Sequence, residues 1–334
     1  MANDHTNKTV KNYNGYAYGN HLHAFGHVFE NRMPVLPAES KNIFTNLMYL
    51  FRCFKVKPAA GVTVFLQKES QKLSDVTGDD GFFSFQWEEA NPLRPGWHDI
   101  AAGISSTDTL ATAKVFVPHN TQFAFISDVD DTILLSHSAS PARKLWQLLS
   151  KSPLQRKLFD DVALHYRLLA AAGTGKATPN PFFYVSSSEW NLYDYLHEIF
   201  RLHNLPEGIF LLNQVKQLHQ LFKTGTGKHE GKLLRIVRIF EALPTQQFVL
   251  LGDNTQQDPY IYQTLCEKYP DRVYAIYIRN VRERKAASTQ AVLDEIAAST
   301  NIPCCFFVHS SEAITHSEKI GLLGKYDEPG DIPR

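Results

Sequence analysis

Apolar and polar positions change their rhythm near residue 120. Before it, short apolar runs at Val62–Leu66, Phe82–Trp87, His98–Ala102 and Ala111–Val117 are cut by turns rich in Gly, Asp and Pro, at 78–81 and 92–96. Such spacing predicts strands. Ala24–Glu30 predicts an earlier strand, and Pro34 and Pro37 break 33–41 into a loop. The stretch Asn42–Phe54 (NIFTNLMYLFRCF) has helical spacing and predicts one short helix. Together these elements predict a small β-sandwich over 1–120, closed by Pro118-His119-Asn120.

Beyond that point apolar strands alternate with amphipathic segments. Strands are predicted at Phe123–Ile126, Phe182–Val185, Phe248–Leu251, Val273–Ile278 and Cys304–Val308. Helical spacing runs through 141–149, Leu154–Ala172, Leu233–Phe240, Tyr260–Tyr269 and Val292–Ala298, with Pro244 stopping the third of these. The alternation predicts an α/β unit over 121–334, with right-handed crossovers and a parallel sheet.

Polar residues gather at the ends of three of those strands. The first runs into Asp128, Asp130 and Asp131, then Thr132; the second ends in Ser186; the third ends in Gly252-Asp253, with Asp258 soon after. Carboxylates this dense repel one another and persist where a cation neutralises them. The carboxyl ends of strands in open α/β sheets are where ligands bind. Taken alone, the first cluster also fits a polar turn closing a core strand. Lys232 opens the amphipathic segment between the second and third runs, and Lys228 competes for any role that a lysine there would play.

In that order, strand–Asp-x-Asp-x-Thr, strand–Ser, Lys and strand–Gly-Asp-x4-Asp, the chain resembles the haloacid dehalogenase superfamily of phosphotransferases. The resemblance implies a Rossmann-like parallel sheet with a small helical cap inserted within about 137–178. Asp128 would be the nucleophile that forms an aspartyl phosphate. Asp130 would act as general acid and base. Ser186 and Lys232 would hold the phosphoryl oxygens. Mg2+ would sit on Asp128, the Asp130 carbonyl and Asp253, with Thr132 and Asp258 in support. The dehalogenase branch lacks the second aspartate, so Asp130 favours a phosphatase. A closer resemblance, carried by Ser127–Ile133, Tyr184–Ser186, Trp190–Asp194, and Gly252-Asp253 with Gln256, Asp258-Pro259 and Ile261-Tyr262, is to the actin-patch phosphatidate phosphatase family and its bacterial relatives. It implies Mg2+-dependent hydrolysis of phosphatidate to diacylglycerol and a β-domain before the catalytic one. Glu189 and Asn254-Thr255 depart from that family's pattern. Both flank the site and touch substrate choice more than reaction type. The segment Thr77–Phe85 (TGDDGFFSF) resembles the hairpin of transthyretin-like sandwiches.

Composition narrows the remaining classes. A chain of 334 residues with 43% hydrophobic and 12% aromatic residues suits two packed domains. Equal counts of basic and acidic residues, 34 each, argue against a nucleic-acid footprint over the whole surface. The basic residues Arg143, Lys144, Lys151, Arg156 and Lys157 of the cap segment fit either an anionic membrane or a solvated helical face. No apolar run approaches the roughly 18 residues of a membrane span, and the polar N-terminus has no secretory pattern, which leaves the cytoplasm, with a peripheral membrane position, as the expected location. Cys53, Cys266, Cys304 and Cys305 include no C-x-x-C pair and read as reduced residues. His21 and His23, with His27 nearby, fit a surface strand better than a metal site. The Gly-Lys pairs at 175–176 and 227–228 lack the G-x4-G-K-[S/T] phosphate loop. Besides a lipid phosphatase, the sequence leaves open a phosphatase for a soluble phosphoester or phosphoprotein, and an adaptor built on the β-domain.

Overall fold

The computed structural model describes residues 8–37, 42–67, 73–105, 110–119, 123–136, 151–174, 178–214 and 228–324. Seven strands come first: β1 (Thr9–Tyr18), β2 (His21–Phe29), β3 (Thr63–Gln67), β4 (Leu73–Val76), β5 (Phe82–Glu88), β6 (Gly96–Ile104) and β7 (Ala111–Val117). Helix α1 (Ile43–Cys53) lies between β2 and β3, and the Asn42 side chain caps it by accepting the Phe44 N–H. Where two packed sheets were expected, the strands pair in one sheet, ordered β4-β3-β6-β7-β1-β2-β5. That sheet rolls until its end strands meet, the Ser84 N–H of β5 donating to Asp75 Oδ2 of β4 at 2.9 Å. Strand alternation gives the reason. Leu22, Ala24, Val28, Val64, Leu66, Phe83, Phe85 and Val115 share one buried cluster, and a flat sheet would leave that face in water.

β1 was not foreseen. Its sequence TVKNYNGYAY lacks apolar alternation, because Asn12 and Asn14 are buried polar positions. Asn12 donates to the Ala111 carbonyl, and Asn14 Oδ1 accepts from the Lys114 N–H at 3.3 Å. The other face of the rolled sheet meets the second unit. There Tyr13 stacks on Trp190 with centroids 4.1 Å apart, and Lys11 pairs with Asp194 at 2.5 Å.

The second unit is α/β. Its strands are β8 (Phe123–Ser127), β9 (Phe182–Glu189), β10 (Ile209–Asn213), β11 (Gln247–Asp253), β12 (Val273–Arg279) and β13 (Cys304–Phe307). All neighbouring pairs are parallel, in the order β10-β9-β8-β11-β12-β13. The helices are α2 (Val162–Ala170), α3 (Tyr193–Leu202), α4 (Lys228–Ala242), α5 (Asp258–Lys268), α6 (Ala286–Thr300) and α7 (Ser310–Lys319). Chain direction across the sheet reverses between β8 and β11, which puts the binding crevice outside their carboxyl ends.

Two expectations are corrected, and three elements are added. Leu154–Ala172 is not one helix: a 3-10 turn at Pro153–Gln155 is followed by an extended bridge from Leu158 to Leu134, and only then by α2. Arg156 is not on a membrane-facing surface, since it is buried and its Nη2 donates to Ser136 Oγ at 2.8 Å. β10, α3 and α7 went unpredicted, although Ile209–Leu212 is a wholly apolar run and α3 buries Tyr193, Leu196, Ile199 and Phe200 along one face. Much of the expected cap, with Arg143 and Lys144, lies outside the described residues, as does most of each Gly-Lys loop.

Two buried histidines weaken this fold as pH falls. His27 sits among the rings of Tyr13, Phe29, Phe82 and Trp190, with neither ring nitrogen partnered. His165 lies under α7 beside Ser317. Burial pushes both imidazoles down to about 3. The unfolded chain, with histidines near the usual 6.5, takes up protons first as pH falls. This stability is therefore complete above about pH 6.5 and is lost progressively toward about pH 3, at up to about 1.4 kcal/mol per pH unit for each ring. The raised Asp128 and Asp253 carboxyls act in the opposite sense over the same range, so the histidine effect is read as a difference: from pH 7 to 5 the urea midpoint of the parent should fall relative to that of His27→Phe. Equal slopes in the two would mean that His27 does not contribute.

Candidate active site

The crevice is built by β8, β9 and β11 together with the start of α4. Asp128 follows β8, and its N–H donates to the Leu251 carbonyl of β11 at 2.9 Å. The chain then folds back tightly, with the Ile133 and Leu134 N–H groups both donating to the Val129 carbonyl at 3.0 Å. Asp131 takes a left-handed φ of 64°, which a short polar side chain tolerates, and its Oδ1 accepts the Ser136 N–H at 2.9 Å.

Arg279 clamps this loop from outside. It is buried, donates from Nε to the Thr132 carbonyl at 3.0 Å and from Nη2 to Ser310 Oγ at 2.9 Å, and lies over the Phe159 and Phe307 rings. Burial pushes its guanidinium down to about 10. Sequence reasoning passed over Arg279. It ends an apolar strand with no motif around it, and only its position as a charged residue within a core run marked it.

The predicted residues do come together. Lys232 Nζ lies 2.8 Å from Asp128 Oδ1 and 2.5 Å from Asp258 Oδ1, with all three side chains buried. Thr132 Oγ1 is 3.3 Å from Asp128 Oδ2 and 3.2 Å from Asp253 Oδ2. The Thr255 N–H donates to Asp253 Oδ1 at 2.5 Å. Asp130 turns aside, its Oδ2 accepting from Ser188 Oγ at 2.9 Å and from Ser186 Oγ at 3.5 Å. Ser188 is therefore the nearer partner of Asp130. Ser186 Oγ in turn accepts the Ser188 N–H at 3.0 Å. The Ser186-Ser187-Ser188 run could have flagged both hydroxyls, because alternate residues of a strand share a face.

Asp128, Asp253 and Asp258 form a cluster with one oxygen of each within 4.8 Å of the others. Asp258 was expected only in support. Burial pushes the Asp128 carboxyl up to about 7, against the pull of Lys232, with Asp258 and Asp130 adding to the rise. Burial likewise holds Asp253 well above the carboxylate range, and its neighbours Asp258 and Asp128 add to that. Burial alone would depress the Lys232 ammonium, but the two carboxylates outweigh it and keep it charged. Three buried carboxyl groups thus face one ammonium, and the raised Asp128 and Asp253 hold protons where no cation takes their place. The donors are all oxygens, a set that suits a hard divalent cation rather than zinc.

Gly252 makes this packing possible. A Cβ there would lie 2.7 Å from Asp258 Oδ2 and 2.8 Å from Asp258 Cβ. Gly252→Ala should therefore push Asp258 off Lys232. We expect a loss of roughly 1–3 kcal/mol in urea unfolding, as in other overpacked sites, and a fall in phosphate release of about a hundredfold, the scale of one misplaced catalytic group. Normal activity in that variant would show that Asp258 is dispensable.

Comparison with known proteins agrees with this geometry. Residues 123–280 match the family model of the phosphatidate phosphatase APP1 catalytic domain. An uncharacterized protein of Schizosaccharomyces pombe is 28% identical over 160 residues, 47% of this chain and 25% of the relative. The phosphatidate phosphatase APP1 of Saccharomyces cerevisiae is 30% identical over 155 residues, 46% of this chain and 25% of the relative. The chain thus spans about a quarter of the length of the curated relatives it matches. Among solved structures, a carbohydrate acetylesterase from Xanthomonas citri reaches a TM-score of 0.32 at 9% identity, covering 90% of this chain and 68% of that one, a likeness too slight to carry an argument. The family match and the yeast relative make residues 123–280 similar to a phosphatidate phosphatase catalytic domain, which supports a phosphatase.

Proposed function

From the match of residues 123–280 to the phosphatidate phosphatase APP1 catalytic domain, we propose that this chain is a Mg2+-dependent phosphatase that hydrolyses phosphatidate to diacylglycerol through an aspartyl phosphate. The observation that carries this reading is Asp128, buried at a strand end, with Lys232 on one oxygen and Thr132 on the other. Mg2+, held by Asp128 and Asp253 with Asp258 beside them and the Asp130 carbonyl as a further donor, would supply Lewis-acid neutralisation of the phosphate charge.

The chain's own groups then have distinct tasks. An Asp128 oxygen forms the bond to phosphorus as the bond from phosphorus to the alcohol oxygen breaks. The Asp130 carboxylic acid gives its proton to that leaving oxygen. As a carboxylate, Asp130 then takes a proton from the water whose oxygen attacks phosphorus, releasing Asp128 and inorganic phosphate. Ser188 and Ser186 keep the Asp130 carboxyl aimed at the crevice. Lys232 neutralises phosphoryl oxygens, Asp258 holds it in place, and Thr132 fixes the Asp128 and Asp253 carboxyls together.

A lipid substrate brings the enzyme to a membrane surface from the cytoplasmic side. No described helix is long and apolar enough to cross a membrane.

A second reading, hydrolysis of a soluble phosphoester, draws on a cleft of about 770 Å³ between the rolled sheet and α4. Trp190, Phe82, His27, Arg235 and Arg238 line it. Arg235 donates to the Ser186 carbonyl at 3.4 Å, while its Nε and both nitrogens of His27 are buried without partners. These groups suit a polar ligand better than an acyl chain.

Phosphate release decides between the readings, measured with Mg2+ from phosphatidate in mixed micelles and from soluble phosphoesters. Release from phosphatidate that is lost with EDTA supports the first. Release from soluble esters alone would keep the chemistry and overturn the lipid assignment.

A further inference from the structure

Helix α1 carries an apolar stripe that nothing among the described residues covers. Asn46, Tyr49, Leu50 and Cys53 face the protein and are buried. On the other side Ile43 is 54% exposed, Phe44 68%, Leu47 38% and Phe51 39%. Positions 43, 47 and 51 are each four residues apart, and Phe44 lies beside the first, so the four form one band along the helix. Single exposed apolar residues are ordinary, whereas a continuous band of this kind marks an interaction surface.

The surroundings of the band are basic. Arg52, Lys55 and Lys57 are exposed, and residues 42–57 contain no Asp or Glu. Lys55 Nζ lies 4.4 Å from the centre of the Phe51 ring, so a cationic head stands directly at the edge of the apolar band. An apolar face bordered by Lys and Arg is the pattern of helices that lie in the headgroup region of anionic bilayers. A protein partner built on a dry apolar contact would not need three flanking cations of one sign.

The helix also stands at the right end of the molecule. The Cys53 carbonyl at its C-terminus accepts the Asn191 side-chain N–H at 2.9 Å. Asn191 follows Ser188, the residue that holds Asp130, by three positions. α1 is thus tied to the rim of the crevice, beyond the carboxyl end of β9.

We propose that α1 is an interfacial helix that seats the protein on an anionic lipid surface, with Phe44, Leu47 and Phe51 entering the headgroup region and Arg52, Lys55 and Lys57 meeting lipid phosphates. The link from this docking to catalysis rests on the lipid-phosphatase reading; the docking itself does not. The test therefore uses the full chain with Asp128→Asn and vesicles that contain no phosphatidate. Flotation is measured on phosphatidylcholine vesicles with and without about one-third phosphatidylglycerol.

The expected result is binding to the anionic vesicles that weakens with salt. It should fall about tenfold or more in Phe44→Ser/Phe51→Ser, and by a smaller factor in Lys55→Gln/Lys57→Gln, with melting temperatures held near the parent's. Failure of the parent to bind, or binding unchanged in the double serine variant, overturns the proposal. So does a dimer in solution that the serine variant dissolves while vesicles remain unbound, since the band would then belong to a second copy. Failure of the lipid-phosphatase reading would appear instead as absent turnover of phosphatidate by the chain with Asp128 intact, with vesicle binding unaffected.

Discussion

Replacing Asp128 by Asn is expected to lower phosphate release by roughly 10⁴-fold or more, the scale seen when the group that bonds to substrate is lost. An amide oxygen in the same place is a far poorer nucleophile and brings no charge to a divalent cation. The substitution is nearly isosteric, so loss of fold does not explain the effect. The charge count points the other way. Among the described residues Asp128 and Asp258 pair with Lys232 alone, Asp253 stands beside them, and removing one carboxyl leaves a better balanced interior. Metal-free Asp128→Asn should therefore unfold at equal or higher urea than the parent while being inactive, and added Mg2+ should stabilise it less than it stabilises the parent. Full activity in the variant would remove Asp128 from the nucleophile role. Strong destabilisation would mean that its carboxylate is held for structure.

Lys232→Met is expected to act on stability and activity together. The ammonium is buried between Asp128 and Asp258, at 2.8 and 2.5 Å. Methionine keeps most of the volume and loses the charge. Breaking a buried pair by removing one partner typically costs about 3–5 kcal/mol, because the remaining charge has no compensation. Here two carboxylates lose their partner, so the upper part of that range is expected without metal. Mg2+ should restore part of it by supplying positive charge in the same place. Activity should remain about 10²–10³-fold low even with saturating Mg2+, as for loss of one preorganised cation on a transferring phosphoryl group. Urea unfolding with and without Mg2+, set beside phosphate release, checks both. The same experiment on Lys228→Met decides between the two lysines: loss of activity there, with Lys232→Met active, would reverse the assignment.

Much of the site was readable because its chemistry is written in short local patterns. An apolar run that ends in carboxylates places Asp128 and Asp253 at strand ends, wherever the sheet lies. Periodicity likewise placed α1 within a residue of its observed bounds. What misled was any element whose partners are remote. β1 hides its buried asparagines behind a polar sequence, since their hydrogen-bond partners come from β7, about a hundred residues away. Leu154–Ala172 has apolar positions enough for one helix, yet its first part is recruited into a bridge to Leu134.

The amino-acid sequence by itself determined the alternation of strands and helices after residue 120, the two carboxylate-bearing strand ends with a serine at the third, and a lysine, Lys228 or Lys232, to balance them. These follow from spacing along the chain and from the charge of the side chains. The tertiary structure alone decided that Asp258 joins Asp128 and Asp253, that Ser188 rather than Ser186 lies nearer Asp130, and that Arg279 clamps the loop from Asp128 to Thr132. It also decided which side of α1 is covered. An apolar stripe in a sequence announces that something must shield it, but the packing of Tyr49, Leu50 and Cys53 against the body of the protein is what leaves Phe44, Leu47 and Phe51 facing outward. Distances between residues remote in the chain depend on how whole elements pack, and no local pattern encodes them.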